Sequence, residues 1–225
     1  MNSADHAARS ERVWPSIVDI LGGCCVVPVV VSNDPAIAAP LARALRDGGL
    51  PVAEITLRTS NALTLISEFE GTGVVAGAGT VLNAGQADAA IAAGARFLVS
   101  PGYSPEVNRV AFEADIPVLP GVATATEMMR ALDEGHLLVK YFPAATNGGP
   151  SSLRALSAPL GALSFIPTGG ITQASASSWL DIPSVIAIGG SWMVARDLLE
   201  SANMSQITRL SHAASLLRAT RGGIA

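Results

Sequence analysis

The chain has 225 residues, of which 49 % are hydrophobic and 14 % charged, so it can bury a large core in one barrel-sized domain or two small ones. Its net charge of −4, with no basic run, argues against a nucleic-acid partner, and no apolar stretch reaches the roughly 18 residues that span a membrane. Residues 1–12 are polar and lack the apolar centre of a signal peptide, so we expect a flexible lead and a cytoplasmic protein.

The apolar pattern predicts a short leading helix at 13–21 and then strands that alternate with helices. The predicted strands are 24–31, 52–57, 74–78, 97–99, 117–119, 137–141, 164–167 and 184–188. Each is followed by a predicted helix, at 34–45, 61–69, 86–93, 105–114, 125–132, 151–156, 174–180 and 192–199, and a last helix is predicted at 204–219. Units of about 20 to 25 residues permit only parallel pairing through helical crossovers.

This alternation predicts an α/β protein with a single domain, a (β/α)8 TIM barrel over residues 1–225 with an extra N-terminal helix. The alternative is an open, doubly wound sheet. Such a sheet normally has fewer strands at this length, and no Gly-x-Gly-x-x-Gly turn follows the first predicted strand.

Lys140 is the only lysine of the chain, since the other 13 of the 14 basic residues are arginine. It lies within an apolar predicted strand. Arginine keeps its charge in a protein, whereas a lysine amine can lose its proton and become a nucleophile. The residue is therefore a candidate for covalent chemistry with a carbonyl substrate. The alternative is a lysine near a strand end whose amine reaches water, but the solitary lysine and the motifs around it favour the first interpretation.

Polar residues stand at the carboxyl ends of the predicted strands, where barrel enzymes hold their catalytic groups. Glu54, Thr56 and Arg58 are spaced by two and so share one face of their strand. A buried carboxylate at Glu54 is costly unless it is paired or takes part in chemistry. Arg58 is suited to clamp a substrate carboxylate, to which Thr80 can also donate. The alternatives are a structural Glu54–Arg58 pair and a helix-capping role for Thr80.

Two glycine pairs follow the seventh and eighth predicted strands, in segments 168–170 and 189–191. Loops at these positions with exposed backbone amides form the usual phosphate site of a barrel, helped by the positive end of a following helix. Neither segment contains lysine or arginine, so a phosphate would rest on amides and hydroxyls. The alternative is that these glycines only form turns.

The sequence predicts no metal site and no cofactor. His6, His136 and His212 are far apart in sequence and none ends a predicted strand, so we interpret them as structural or surface residues. His136 precedes the sixth strand and is expected at the rim opposite the site. The adjacent Cys24 and Cys25 are predicted to be buried, reduced thiols in the first strand.

Taken together, several stretches resemble the KDPG/KHG aldolases, the 2-dehydro-3-deoxy-phosphogluconate aldolases, and occur in the order of that family. The likeness runs from about residue 21 to about residue 210 and is carried by 54–59, 77–82, 100–102, 140–144, 147–149, 167–171 and 188–192. The resemblance implies a class I, metal-free aldolase of the Entner–Doudoroff pathway. It also implies a homotrimer of (β/α)8 barrels acting on a small phosphorylated 2-keto acid.

The resemblance assigns roles position by position. Lys140 matches the Schiff-base lysine and Glu54 the general acid/base. The implied substrate-binding residues are Arg58 and Thr80 for the pyruvyl carboxylate, Pro101 and Phe142 around the pyruvyl unit, and Thr168, Gly169, Gly170, Gly190 and Ser191 in the phosphate loops. Many members have glutamate where this chain has Ala145, which leaves the fine substrate preference open. Thr168 resembles the gluconate-type branch.

The expected reaction is cleavage of 2-dehydro-3-deoxy-6-phosphogluconate to pyruvate and glyceraldehyde 3-phosphate. One alternative is the same chemistry on 4-hydroxy-2-oxoglutarate or on the galactonate epimer. A second is a sugar-phosphate isomerase or epimerase, which needs the glycine loops and no imine-forming lysine. A third is a barrel that only binds phosphorylated ligands.

Overall fold

The structure is a computed structural model that describes residues 17–21 and 23–218. Its strands are β1 (Val26–Val30), β2 (Val52–Thr56), β3 (Val75–Gly79), β4 (Leu98–Val99), β5 (Val118–Leu119), β6 (Gly121–Val122), β7 (Leu138–Tyr141), β8 (Ser164–Pro167) and β9 (Ile188–Gly190). Its helices are α1 (Ile17–Leu21), α2 (Ala38–Asp47), α3 (Ala62–Ser67), α4 (Ala84–Ala92), α5 (Pro105–Glu113), α6 (Ala125–Asp133), α7 (Gly149–Ser157), α8 (Ala176–Leu180), α9 (Arg196–Glu200) and α10 (Met204–Ser215). Short 3-10 turns occupy Pro35–Ile37 and Trp192–Val194.

Local sequence explains where several helices begin. Side-chain oxygens of residues just before the first turn accept hydrogen bonds from otherwise unpaired amides, at Asn83, Ser104, Thr124 and Asn203. Thr124 and Glu127 form a complete capping box at the start of α6. The predicted lead at 1–12 and the predicted helix start at 13–16 lie outside the described residues.

The described strands form a curled parallel sheet. One part has six strands in the order β5-β4-β3-β2-β1-β9, and the other has three in the order β6-β7-β8. Pro120 separates β5 from β6; a proline has no amide hydrogen to continue a ladder, although its carbonyl accepts from the Lys140 amide at 2.9 Å. Isolated parallel bridges, Phe165 to Val185 and Thr168 to Gly189, join β8 to the segment that ends in β9.

The last strand differs from the sequence prediction of 184–188. It runs from Ile188 to Gly190, so the glycine pair expected in a loop lies inside β9, where it pairs with Val27 and Pro28 of β1. Glycine in a strand marks a close approach of other groups. A side chain on Gly189 would collide with Thr168, and one on Gly190 with the ring of Trp192.

The two faces of the strands are distinguished by what they pack against. Ala53 and Ile55 of β2 belong to the large apolar cluster that includes the helices, whereas Val52, Glu54 and Thr56 alternate with them and face the other way. Val52 joins a second apolar cluster with Ile17 and Leu21 of α1. Helix α1 therefore covers the inner face of the strands on one side of Glu54, and together they line a small cavity.

No helix within the described ranges is long and apolar enough to cross a membrane. Cys24 and Cys25 are free thiols that precede β1 rather than lying in it, with Cys25 buried and Cys24 half-buried. The Cys24 thiol donates to the Val26 carbonyl at 3.1 Å. Burial raises the pKa of this thiol, the Val26 contact lowers it by less, and the nearby Cys25 raises it further.

We predict slow alkylation of Cys24. A raised pKa means that the reactive thiolate is scarcer at pH 8 than in a free cysteine, so iodoacetamide should label Cys24 several-fold more slowly than glutathione, with a rate that still climbs above pH 9. Mass spectrometry of the labelled peptide between pH 7 and 10 measures this. Labelling as fast as that of glutathione at pH 8 would contradict it.

Candidate active site

The centre of the site is a buried contact between Lys140 on β7 and Glu54 on β2. The Lys140 Nζ donates to Glu54 Oε1 at 3.0 Å, and the two side chains are 6 % and 4 % exposed. The two strands are not neighbours in the sheet, so the side chains meet across its inner side. Burying two charges is unfavourable unless they are closely paired, and this geometry meets that condition.

An aromatic ring also lies near the amine. The ring of Phe142, one residue past β7, lies with its centre 5.3 Å from Nζ. An amine held here beside a carboxylate can lose its proton to that carboxylate and attack a carbonyl carbon. The arrangement is thus suited to forming an imine with a ketone.

The Glu54–Arg58 alternative is not realised, because the Glu54 carboxylate pairs with Lys140. Strand β2 ends at Thr56, so Arg58 does not continue the inner face of the strand, and its side chain is exposed. Thr56 is buried, and its hydroxyl donates to the Val30 carbonyl at 3.1 Å. The sequence pattern wrongly extended the strand face to Arg58, since a spacing of two does not reveal where a strand stops.

Asn33, in the loop after β1, forms hydrogen bonds that hold the segment carrying Arg58 in place. Its side-chain oxygen accepts from the Ser60 hydroxyl at 3.0 Å and from the Asn61 amide at 3.2 Å, and its carbonyl accepts from the Asn61 side chain at 2.9 Å. Thr59 donates to the Ser32 carbonyl at 2.6 Å. The only sequence signal for this role is that Asn33 stands among turn-forming residues directly after a strand.

Thr80, immediately after β3, has a left-handed backbone with φ of 58° and is half-buried. This conformation is unfavourable for a side chain that branches at Cβ, and such strain concentrates at functional sites. The next residues form the turn into α4, which is capped by Asn83. The capping alternative for Thr80 is therefore wrong.

Pro101 lies in a loop held against the break between β5 and β6. The Ser100 hydroxyl donates to the Gly102 carbonyl at 2.6 Å and accepts from the Gly121 amide at 3.4 Å. A side chain on Gly121 would collide with the backbone of Pro101 and come within 2.6 Å of the Gly102 nitrogen. Because Gly121 has no side chain, the half-buried Pro101 loop can lie against the start of β6.

The predicted phosphate residues come together at one edge of the curled sheet. The Thr168–Gly189 bridge joins the end of β8 to β9, and Thr168 is buried. Gly169 and Gly170 have φ of 102° and 74°, which favours glycine at both positions. Gly170 and Ser191 are exposed, whereas Gly190 is buried within β9.

His136 and His212, the two histidines within the described ranges, take no part in this cluster. Among the described residues, no group of three or more His, Cys, Asp or Glu side chains is arranged to hold a metal ion. His136 lies just before β7 and packs edge-on against the Tyr103 ring at 6.0 Å. His6 lies outside the described residues, and His212 is exposed on α10.

The chain is similar to known proteins over most of its length. Residues 17–210 match the family model described as KDPG and KHG aldolase. The 2-dehydro-3-deoxy-phosphogluconate aldolase of Dickeya dadantii is 42 % identical over 202 residues, which are 88 % of this chain and 94 % of that protein.

Solved structures agree with this similarity. The 2-keto-3-deoxy-6-phosphogluconate aldolase of Zymomonas mobilis ZM4 with 3-phosphoglycerate has a TM-score of 0.86 at 40 % identity, covering 92 % of this chain and 99 % of that chain. The KDPG aldolase from Legionella pneumophila, with pyruvate captured as a covalent carbinolamine intermediate, has a TM-score of 0.84 at 39 % identity, covering 87 % and 96 %.

We predict that breaking the buried pair destabilises the protein more than replacing it. Glu54→Ala leaves the Lys140 ammonium without its carboxylate and should lower the free energy of unfolding by about 3 kcal/mol. The double variant Glu54→Leu with Lys140→Met should lie within about 1 kcal/mol of the parent, because no lone charge remains. Urea unfolding of the three proteins measures both values. Equal stability of Glu54→Ala and the parent would contradict the buried pairing.

We predict that Thr80→Gly is more stable than Thr80→Ala by about 1 kcal/mol, because glycine adopts a left-handed backbone without strain. Asp115 has a φ of 57° outside the site and serves as the matched control, where the glycine variant should exceed the alanine variant by a similar amount. Chemical denaturation of both pairs tests this. No difference at position 80 alongside a clear difference at 115 would show that Thr80 is not strained.

Proposed function

Because the chain belongs to the KDPG and KHG aldolase family and is an aldolase, a carbon–carbon lyase, we propose that it cleaves 2-dehydro-3-deoxy-6-phosphogluconate. The products are pyruvate and glyceraldehyde 3-phosphate. The observation that carries the proposal is the buried 3.0 Å contact between the solitary lysine and a carboxylate, which is the arrangement that imine chemistry needs.

The first step is imine formation. Lys140 gives a proton to Glu54 through the hydrogen bond that already joins them, and its free amine attacks the C2 carbonyl of the substrate. The resulting carbinolamine takes the proton back on its hydroxyl group and loses water. A protonated imine between Lys140 and C2 remains, and it draws electrons from the neighbouring bonds.

Cleavage follows at the bond between C3 and C4. Glu54 removes the proton of the C4 hydroxyl, directly or through a water, and the C3–C4 electrons move into the imine as the aldehyde leaves. The enamine that is left takes up a proton at C3, and water hydrolyses the pyruvate imine to release Lys140. One carboxylate can serve each proton transfer because it starts within hydrogen-bond distance of the amine.

The remaining residues bind the two ends of the substrate. We assign Arg58 and Thr80 to the carboxylate, and Pro101 and Phe142 to the pyruvyl unit. The strained backbone of Thr80 and the Phe142 ring beside Nζ support this assignment. We assign the phosphate to Thr168, Gly169, Gly170, Gly190 and Ser191. The exposure of Gly170 and Ser191 supports amide and hydroxyl contacts there, whereas Gly190 lies buried in β9 and is expected to contribute only by leaving room for the ring of Trp192 next to Ser191.

The same site suits related substrates, namely 4-hydroxy-2-oxoglutarate and 2-dehydro-3-deoxy-6-phosphogalactonate, and relative rates on the three compounds decide among them. A phosphate site built from glycine amides favours a phosphorylated substrate over 4-hydroxy-2-oxoglutarate. An isomerase or epimerase, or a barrel that only binds ligands, has no use for a lysine and a carboxylate paired in a buried site.

We further propose that the curled sheet is one closed (β/α)8 barrel in a single domain over residues 1–225. The bridges that join β8 to the β9 segment, and the pairing of β9 with β1, support closure. In this arrangement β5 and β6 form one strand interrupted at Pro120, and α1 is an extra helix before the first strand. The homotrimer, the cytoplasmic location and the absence of a metal or cofactor stay predictions.

The test is reductive trapping. Pyruvate with sodium borohydride should inactivate the enzyme and add one reduced pyruvyl group to the peptide that contains Lys140, because borohydride reduces an imine to a stable amine. Lys140→Arg keeps the positive charge and should show no adduct and a loss of turnover on the order of 1,000-fold or more. Pyruvate release from 2-dehydro-3-deoxy-6-phosphogluconate should be unaffected by a chelator.

Either of two results would remove the proposal. Turnover without any adduct on the Lys140 peptide would exclude the imine. An adduct with pyruvate but no pyruvate release from any of the three candidate substrates would leave the imine and exclude aldol cleavage of these compounds.

A further inference from the structure

Gly79, the last residue of β3, lies beside the side chain of Glu54. It pairs with Thr56 of β2, and its carbonyl accepts from the Leu57 amide at 2.8 Å. Its φ is not among the positive values that other glycines of the chain adopt. The backbone at this position is therefore one that any residue adopts, and conformational freedom does not explain why glycine stands here.

The explanation lies in the space that a side chain would occupy. A Cβ on Gly79 would be 2.6 Å from Cγ and 2.7 Å from Cδ of Glu54, and closer still to Oε1. Oε1 is the atom that accepts the hydrogen bond from Lys140. The collision involves the middle of the Glu54 side chain as well as its tip, so a small rotation of the carboxylate does not relieve it.

We propose that Gly79 is a positioning residue for the catalytic pair. Because Gly79 has no side chain, the space beside it is free for the Glu54 carboxylate, which there reaches Lys140. Gly79 has no functional group and takes no part in chemistry; it acts through the placement of Glu54. The catalytic consequence of this inference rests on the proposed aldolase function, whereas the steric relation between the two residues does not.

The first arm of the test is an activity cycle. Gly79→Ala should lower kcat/KM for pyruvate release by about 100-fold, as expected when a general acid/base is displaced. In a Glu54→Ala background the same substitution should cause no further loss, because the group through which it acts is already gone. Where turnover is too slow to measure, the rate of borohydride trapping with pyruvate is compared instead. The four proteins are the parent, Gly79→Ala, Glu54→Ala and the double variant.

The second arm measures stability and does not depend on the reaction. Gly79→Ala should lower the melting temperature of the parent by about 5 °C. In the Glu54→Ala background it should leave the melting temperature unchanged or raise it, since the added methyl group fills space that Glu54 has vacated. If Gly79→Ala does not fold in the parent but folds in the Glu54→Ala background, the result also shows that the added methyl group acts through the Glu54 side chain.

Gly77→Ala is the matched control on the same strand and face. The atoms nearest to a Cβ there all belong to the ring of Phe97, so the substitution acts first on Phe97 and its effect on melting temperature should be alike in both backgrounds. The inference is overturned if Gly79→Ala keeps kcat/KM within about threefold of the parent, or if it lowers activity and stability equally with and without the Glu54 side chain. A parent enzyme without pyruvate release would instead overturn the proposed function, and the stability arm would still decide the role of Gly79.

Discussion

A lysine and a glutamate meet at 3.0 Å in a place where water scarcely reaches either side chain. The rest of the site depends on that contact. Removing two charges from water is unfavourable, and their attraction offsets it only at short distance with a good hydrogen bond. Strands β2 and β7 must therefore be held so that residues 86 positions apart in sequence come within hydrogen-bond distance. The apolar cluster of α1 beneath Glu54 and the Phe142 ring beside Nζ complete the surroundings of the pair.

Much of the arrangement around this pair is made by glycines that leave space. Gly79 leaves room for the Glu54 side chain, Gly121 for the Pro101 loop, and Gly189 for Thr168. Each stands in or beside a strand where a side chain would point into a neighbouring functional group. Such glycines differ from Gly169 and Gly170, whose left-handed backbone is itself the reason for glycine. The same residue type therefore serves two physical purposes within one site.

The order of strands and helices was largely predictable, because local patterns of apolar and polar residues determine it. Apolar runs alternating with amphipathic segments predicted strands that agree with β2, β3, β7 and β8 to within a residue at most ends. The prediction failed where contacts between distant parts of the chain determine where a strand begins or ends. The last strand lies later than its apolar run suggests, because Gly189 and Gly190 pair with β1. No strand was predicted at β6, which follows β5 after Pro120, and the face of β2 ends before Arg58.

The sequence by itself identified one lysine among arginines as the candidate for covalent chemistry, and its ordered motifs indicated the family. It also determined which residues can share a strand face, since side chains alternate with a period of two. Only the tertiary structure decided that Glu54 pairs with Lys140 rather than with Arg58, that Asn33 holds the Arg58 loop, and that Gly79 must lack a side chain. Distances between strands that are not neighbours depend on the curvature and register of the whole sheet, which no local spacing encodes.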